Sequence, residues 1–244
     1  MDKINTILAY ESSLKIIQKD DSFNFSTDST ILSFFAKECV KSGKIIDLGS
    51  GTGAIPLFMS MFSKDKIYGV EIQKDIAELS KRSVELNHLE SQIEILNDDI
   101  CGISKKFNPS EFNLVLSNPP YFRLEDSKLK NDNEALLIAR HEIKVTMEDI
   151  IKEAKTLLKD NGSLCMVQRT DRFLETVELL NKYGFTLKRL RFVYPKMGKE
   201  SHIFLFDARK TKRNHGLKVL EPLYIYNEND DYSDEIKEMY HYGE

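Results

Sequence analysis

From Lys44 to Asp207 the chain alternates short apolar, β-branched runs with longer segments of helical spacing, and few folds accept such an alternation. KIIDLG (44–49), KIYGVEI (66–72), QIEIL (92–96), FNLVLS (112–117) and SLCMVQ (163–168) read as buried strands. Residues 54–62, 75–87, 147–159 and 171–183 between and after them carry helical periodicity. Thr146 is placed to cap the third of these helices, with Glu148 and Asp149 in its first turn. Strands and helices in strict alternation imply a mostly parallel sheet covered on both faces. Two last strand-like runs, Thr186–Tyr194 and Ser201–Asp207, leave no room for a helix between them and should form an antiparallel hairpin. The expected architecture is therefore α/β: a doubly wound, seven-stranded sheet with an antiparallel final hairpin.

Around this core the chain divides into an N-terminal extension (1–42), the α/β domain (43–226) and an acidic tail (227–244). The extension holds two strand-like pieces, LKIIQ and FNF, and a helical stretch from Thr30 to Val40. Residues 122–139 form a long polar connection of the kind usually kept for function. No apolar run has membrane length, and the start lacks the apolar core of a signal peptide, so a cytoplasmic protein with no membrane partner is expected. The oligomeric state is not written in the sequence, and a monomer is the expectation. Three cysteines, odd in number and with no CxxC pair, point to reduced, packed thiols. The five histidines show no metal-ligand spacing, so no metal is expected. The formal net charge of −4 argues mildly against a general nucleic-acid coat, but a local patch can still grip RNA. Lys188, Arg189, Arg191, Lys196, Lys199, Arg209, Lys210, Lys212, Arg213 and Lys218 crowd one late segment, either as a solvated face or as a phosphate-binding surface.

Asp47-Leu48-Gly49-Ser50-Gly51-Thr52-Gly53 lies where the first strand of the alternation gives way to a helix. In open α/β sheets ligands bind at that crevice. Gly49, Gly51 and Ala54 also fit the dinucleotide pattern, so the glycines alone leave the ligand open. Asp47 tilts the choice, because an acid there repels a pyrophosphate and suits the ammonium of a methionine moiety. Glu71 ends the next strand, at the spacing of a carboxylate that grips ribose hydroxyls. Asp99 follows the third and can accept from an exocyclic adenine amine, as can Asp98 beside it.

Asn118-Pro119-Pro120-Tyr121 follows the fourth strand at the same end of the sheet. Paired prolines fix φ and hold the preceding residues extended. The side-chain carbonyl of Asn118, the main-chain carbonyl of Pro119 and the ring of Tyr121 together suit a flat –NH2 group: two acceptors for its hydrogens and a platform for its ring. Such a grip frees the nitrogen lone pair to attack an electrophile. A sulfonium methyl needs no acid to help its leaving group, so positioning supplies most of the catalysis. No HExxH, Walker or GxSxG motif offers other chemistry.

Taken together, DLGSGTG, GVEI, NDDI and SNPPY resemble the amino-group methyltransferases of the S-adenosylmethionine (SAM)-dependent, Rossmann-like superfamily. FNFSTDSTILSFFA, ARHE (139–142), VYPKMGKESHIFLFDARK (193–210) and the ending GLKVLEPLYIYNEN make the chain most similar to the bacterial tRNA1(Val) adenine-37 N6-methyltransferases. The resemblance spans about residues 20–226. It implies SAM as cofactor and a tRNA adenine as substrate. Asp47, Gly49, Gly51 and Gly53 would line the methionine end, Glu71 the ribose and Asp99 the adenine, with Asn118, Pro119, Pro120 and Tyr121 at the target base. It also places Thr27 and Asp28 over the cofactor, in a Ser-Thr-Asp-Ser run where Gly-Thr-Asp-Ala is expected. Arg123, Lys128, Lys130, Arg140, His141 and Glu142 flank the active-site loop, and with Lys196, Lys199, Arg209 and Lys210 they are the candidate RNA contacts. Rival readings are a protein-glutamine N5-methyltransferase, an rRNA base amino-methyltransferase, a silent RNA-binding module and an NAD-dependent oxidoreductase.

Overall fold

Each apolar run of the alternation forms a strand in the computed structural model, which describes residues 2–19, 26–119, 145–211 and 216–244. Strands β1 (Asp2–Thr6) and β2 (Lys15–Lys19) form an antiparallel hairpin, followed by α1 (Thr27–Ala36) and a 3-10 turn through Cys39. The alternation proper is β3 (Lys44–Leu48), α2 (Ala54–Phe62), β4 (Ile67–Glu71), α3 (Lys74–Leu86), β5 (Ile93–Asn97) and β6 (Phe112–Ser117). Then come α4 (Met147–Leu157), β7 (Leu158–Arg169), α5 (Phe173–Lys182), β8 (Phe185–Tyr194) and β9 (Ile203–Lys210). Two short strands, β10 (Lys218–Val219) and β11 (Leu223–Tyr224), precede a last helix, α6 (Asp234–Tyr240).

The sheet runs β10-β8-β9-β7-β6-β3-β4-β5, with β11 also on β8. Strands β5, β4, β3, β6 and β7 pair in parallel, and β9 is antiparallel to both β7 and β8. The seven strands expected from the sequence are all in it. Two more come from the C-terminal segment, which lays β10 and β11 along the edge of β8. A two-residue strand is too short to show a period of two, so neither was legible beforehand.

Alternation along each strand sorts side chains to two faces. Ile45, Leu114, Leu116, Val167 and Leu205 face α1, α2 and α6; Ile46, Leu48, Val115, Leu164 and Phe206 face α4 and α5. Thr146 caps α4 as read from the sequence: its Oγ1 accepts from Asp149 N at 3.2 Å while Asp149 Oδ2 accepts from Thr146 N at 3.0 Å, a reciprocal capping box. The sequence reading treats 227–244 as an acidic tail; in the structure it carries α6, whose Ile236 and Met239 are buried beside α1. Tyr242 packs edge-on against Phe34 and Phe62, and its carbonyl accepts from Tyr10 Oη at 2.8 Å. The two ends of the chain thus brace one face of the sheet together.

Candidate functional site

Strands β3 and β6 are neighbours, with Asp47 opposite Leu116, so the glycine turn and Asn118 emerge side by side at the carboxyl ends of the two strands. Ser117 Oγ donates to Leu48 O at 2.7 Å and ties the exits together. Topology alone therefore unites two motifs that are some seventy residues apart.

The turn itself is built on left-handed backbone. Gly51 has φ +53° and Gly53 φ +90°, and a Cβ on Gly53 would meet Ser80 Oγ at 2.2 Å, so α3 can approach only because the side chain is missing. Gly49 N and Ser50 N donate to Val70 O at 2.9 and 2.8 Å, closing the turn on β4. Glu71, at the end of β4, is buried, and its two oxygens accept from Gly51 N (3.0 Å) and Gln73 N (2.8 Å). Its carboxyl is nonetheless held above the usual range, burial outweighing these bonds.

Asp47 is fully buried, and neither carboxylate oxygen has a hydrogen-bond partner among the described residues. Burial, with the Glu71 charge nearby, pushes it well above the ordinary carboxylate range. A buried acid without a partner costs stability and is seldom left so without a use. A cation delivered to the crevice would satisfy it, whereas an anion would not.

After β5, Asp98 N donates to Glu71 O at 3.0 Å, and the Asp98 carboxylate is ion-paired with Lys106, which lowers it. Asp99 is exposed, and its Oδ1 accepts from Cys101 N at 2.8 Å. Asn118 is half-buried, its Nδ2 donating to Ser29 Oγ at 3.2 Å in the first turn of α1. Thr27 and Asp28 open that same helix, with Thr27 Oγ1 3.5 Å from Tyr240 Oη. Pro119 follows Asn118; Pro120, Tyr121, Arg123, Arg140 and His141 lie outside the described residues, as do Lys128, Lys130, Glu142, Lys212 and Arg213.

The late basic segment is split by the strands that carry it. Ile203 pairs with Arg169 and Arg209 with Ser163, so Arg209 and Lys210 stand at the amino end of β7, opposite the crevice. Lys210 Nζ there donates to Leu158 O at 2.7 Å. Lys196 and Lys199, between β8 and β9, are at the crevice end, Lys196 paired with Asp230 at 2.7 Å and Lys199 exposed. Arg189 and Arg191 serve the interior: Arg191 clasps Glu235 with two bonds of 2.6 and 2.7 Å. Arg189 reaches Glu38 (2.7 Å), Asp207 (3.3 Å) and the carbonyl of Phe35 (3.0 Å). Arg189→Ala is expected to destabilise the fold by about 3 kcal/mol, since it leaves the fully buried Asp207 only the longer contact with Arg209, at 3.9 Å. Urea unfolding should show a lower midpoint at unchanged slope; a midpoint equal to wild type would contradict this.

Sequence reasoning missed two serines at the site and one buried cluster. Ser29 and Ser117 carry no motif, and only the tertiary contacts reveal them. Cys39 and Cys165, 126 residues apart in the chain, bring their sulfurs to 3.6 Å, and the Asp207 carboxylate completes a buried trio of metal-ligand type. Arg189 Nη2 lies 2.9 Å from Cys39 Sγ, so a cation already stands at that trio.

The chain is similar to known methyltransferases. The pattern of the methyltransferase small domain family covers residues 26–190. One relative, a tRNA1(Val) (adenine(37)-N6)-methyltransferase of Phocaeicola vulgatus, is 29% identical over 71% of this chain and 71% of its own. Among solved structures, a predicted O-methyltransferase from Agrobacterium tumefaciens superposes with a TM-score of 0.66 at 20% identity, covering 87% of this chain and 95% of the other. The geranyl diphosphate C-methyltransferase of Streptomyces coelicolor, solved with S-adenosyl-L-homocysteine, superposes with a TM-score of 0.57 at 10% identity over 75% of this chain and 78% of the other. The chain belongs to the methyltransferase small domain family and is a SAM-dependent methyltransferase of Rossmann-like fold.

Proposed function

We propose that this enzyme methylates the exocyclic N6 of an adenine in tRNA, at position 37 of the anticodon loop of tRNA1(Val). The observation that carries the reading is the placement of Asn118 and Pro119 at the exit of β6, directly beside the glycine turn at the exit of β3. The relatives named as tRNA adenine-N6 methyltransferases support the choice of base and RNA.

In this reading Asp47 pairs with the ammonium of SAM, and Gly49, Gly51 and Gly53 leave room for its methionine end. Glu71 takes the ribose hydroxyls, and the adenine amine falls to Asp99, because Asp98 is already held by Lys106. When bound, SAM supplies an electrophilic methyl on sulfur. The chain's part is to hold the nucleophile: Asn118 Oδ1 and Pro119 O accept the two N–H bonds of the target amine, and Tyr121 stacks on the base. Accepting both hydrogens leaves the lone pair as the group directed outward. An anticodon-loop adenine is single-stranded, so extruding it costs less than the few kcal/mol needed from a duplex. The extra proton passes to solvent. Lys196 and Lys199, on the crevice side, are the phosphate contacts we retain, whereas Arg209 and Lys210 point the other way. The cytoplasm, where tRNA is modified, is the matching compartment.

The test is nucleoside mass spectrometry of tRNA from a strain lacking the gene. The expected result is loss of N6-methyladenosine from tRNA1(Val), restored by the purified enzyme and SAM. Unchanged tRNA together with loss of methylglutamine from a protein would instead identify an amide nitrogen as the acceptor.

A further inference from the structure

Two of the three thiols take no part in methyl transfer, yet they are placed for chemistry. Cys39 closes the 3-10 turn after α1 and is 3% exposed; Cys165 lies in the middle of β7 and is wholly buried. Their sulfurs are 3.6 Å apart, with Cys165 Sγ donating to Cys39 Sγ. A buried cysteine ordinarily serves as a small, inert hydrophobe. These two have charged neighbours instead. Arg189 Nη2 donates to Cys39 Sγ at 2.9 Å, and a carboxylate oxygen of Asp207 lies within 4.8 Å of both sulfurs. Asp207 Oδ1 has no hydrogen-bond partner among the described residues, so an acceptor for a proton is at hand.

The thiolate is the reactive form of cysteine, and a cation beside the sulfur favours it. At Cys39 the hydrogen bond from Cys165, joined by the Arg189 charge, outweighs burial and the Asp207 charge and holds the thiol below its usual range. Burial holds Cys165 well above that range, as a neutral thiol. The pair is therefore one nucleophile with a second thiol in reach to resolve it. Exposed Cys101 is different: partial burial and the charges of Asp149, Asp99 and Glu153 hold it above its usual range. A small oxidant also has a way in. A groove of about 330 Å3 between α1, β8 and α6 is lined by Phe35, Glu38, Arg189 and Met239. Arg189 forms part of its wall, bonded to exposed Glu38 on one side and to Cys39 on the other.

We propose that Cys39 and Cys165 form a reversible, peroxide-driven disulfide that locks the N-terminal helix onto the central sheet. The Cys39 thiolate attacks one oxygen of hydrogen peroxide and the O–O bond breaks. The sulfur becomes a sulfenic acid, and the departing hydroxide takes up the proton that Cys39 had released. Cys165 Sγ then attacks the sulfenic sulfur. The S–O bond breaks as the S–S bond forms, and the second hydroxide takes the Cys165 proton by way of Asp207. Two electrons pass from the thiols to the peroxide, so two thiols and one peroxide give one disulfide and two waters. The new bond joins residues 126 apart and ties α1, which carries Thr27 and Asp28, to the strand beside β6. It is independent of which base is methylated.

The experiment treats the reduced, full-length protein with one equivalent of hydrogen peroxide in native buffer, then denatures it in an alkylating reagent and maps the peptides by mass spectrometry. The expected result is a Cys39–Cys165 crosslinked peptide, with Cys101 still alkylated and both thiols restored by dithiothreitol. The oxidised protein should unfold at a midpoint roughly 10 °C higher, the scale for closing so long a loop in a chain of this size. In Cys165→Ala the crosslink should vanish and dimedone should label Cys39 as the stranded sulfenic acid; Cys101→Ala should behave as wild type. The deciding measurement is made on wild type, so it does not depend on a variant folding. Cys39 and Cys165 left as free thiols while Cys101 is oxidised would overturn the proposal. So would a crosslink that forms only when the peroxide is added in urea, or one that leaves the midpoint unchanged.

Discussion

Asn118→Ala is expected to lower kcat for methyl transfer by about 10²–10³-fold, the scale for removing one preorganised polar group that faces the reacting centre. The variant keeps Pro119, the glycine turn and every residue assigned to SAM. SAM affinity should therefore stay within a few-fold of wild type. Asn118 is half-buried and at a strand exit, outside both apolar clusters, so the fold should tolerate the loss. Isothermal titration with SAM and single-turnover methylation of tRNA measure the two quantities separately. Retained turnover would remove Asn118 from the chemistry and leave the NPPY run as a rigid turn. A parallel loss of SAM binding would move its role to the cofactor.

Asp47→Asn is expected to act on the other side of the site, and in two opposite directions. The isosteric amide cannot pair with an ammonium as a carboxylate does, so SAM affinity should fall about 10–100-fold, the range for a charged hydrogen bond. In the ligand-free protein the same change removes a buried charge that has no partner among the described residues, and stability at neutral pH should rise by ~1–3 kcal/mol. The pH dependence follows from the sign of the shift. Burial and the neighbouring Glu71 place the folded-state pKa of Asp47 above its unfolded value. The free protein therefore loses stability as pH rises from the ordinary carboxylate range up through that raised value. Glu71, raised chiefly by its own burial, contributes in the same direction. Binding an ammonium ion draws the proton off Asp47, so SAM affinity should climb with pH across that window and then level. The Asp47→Asn titration should lack this rise. Thermal unfolding with and without SAM from pH 5 to pH 8 tests both signs at once. An unchanged SAM affinity in the variant would show that Asp47 is not the ammonium's partner.

The sequence by itself determined the seven main strands of the sheet and the helices between them, the pairing of a glycine turn with an Asn-Pro-Pro-Tyr run, and thereby the class of chemistry. It could do so because each of these is local. A strand shows its period within five residues, as KIIDL does. A capping box such as Thr146 with Asp149 spans a single turn. The stiffness of Asn118-Pro119 is a property of adjacent peptide bonds. Tertiary structure decided whatever depends on two distant segments meeting. Asp47 stands out in the sequence by its place at the strand's end, but its complete burial and its lack of a partner among the described residues belong to the tertiary structure. Arg189 and Arg191 read as part of a basic patch, yet strand alternation turns them inward to Asp207, Glu38 and Glu235. Arg209 and Lys210 belong to the same stretch as Lys196 and Lys199, but the reversal of β9 carries them to the opposite end of the sheet. The acidic ending has no apolar period long enough to announce a helix. It becomes one because the face of α1 offers Ile236 and Met239 a place to be buried. Ser29 and Asn118 share no motif, and their hydrogen bond exists only because the fold brings the start of a helix to the end of a strand. Composition and periodicity fix which surfaces an element wants to bury. Which side chains then face one another across the fold is settled by packing, a long-range property that no window of sequence contains.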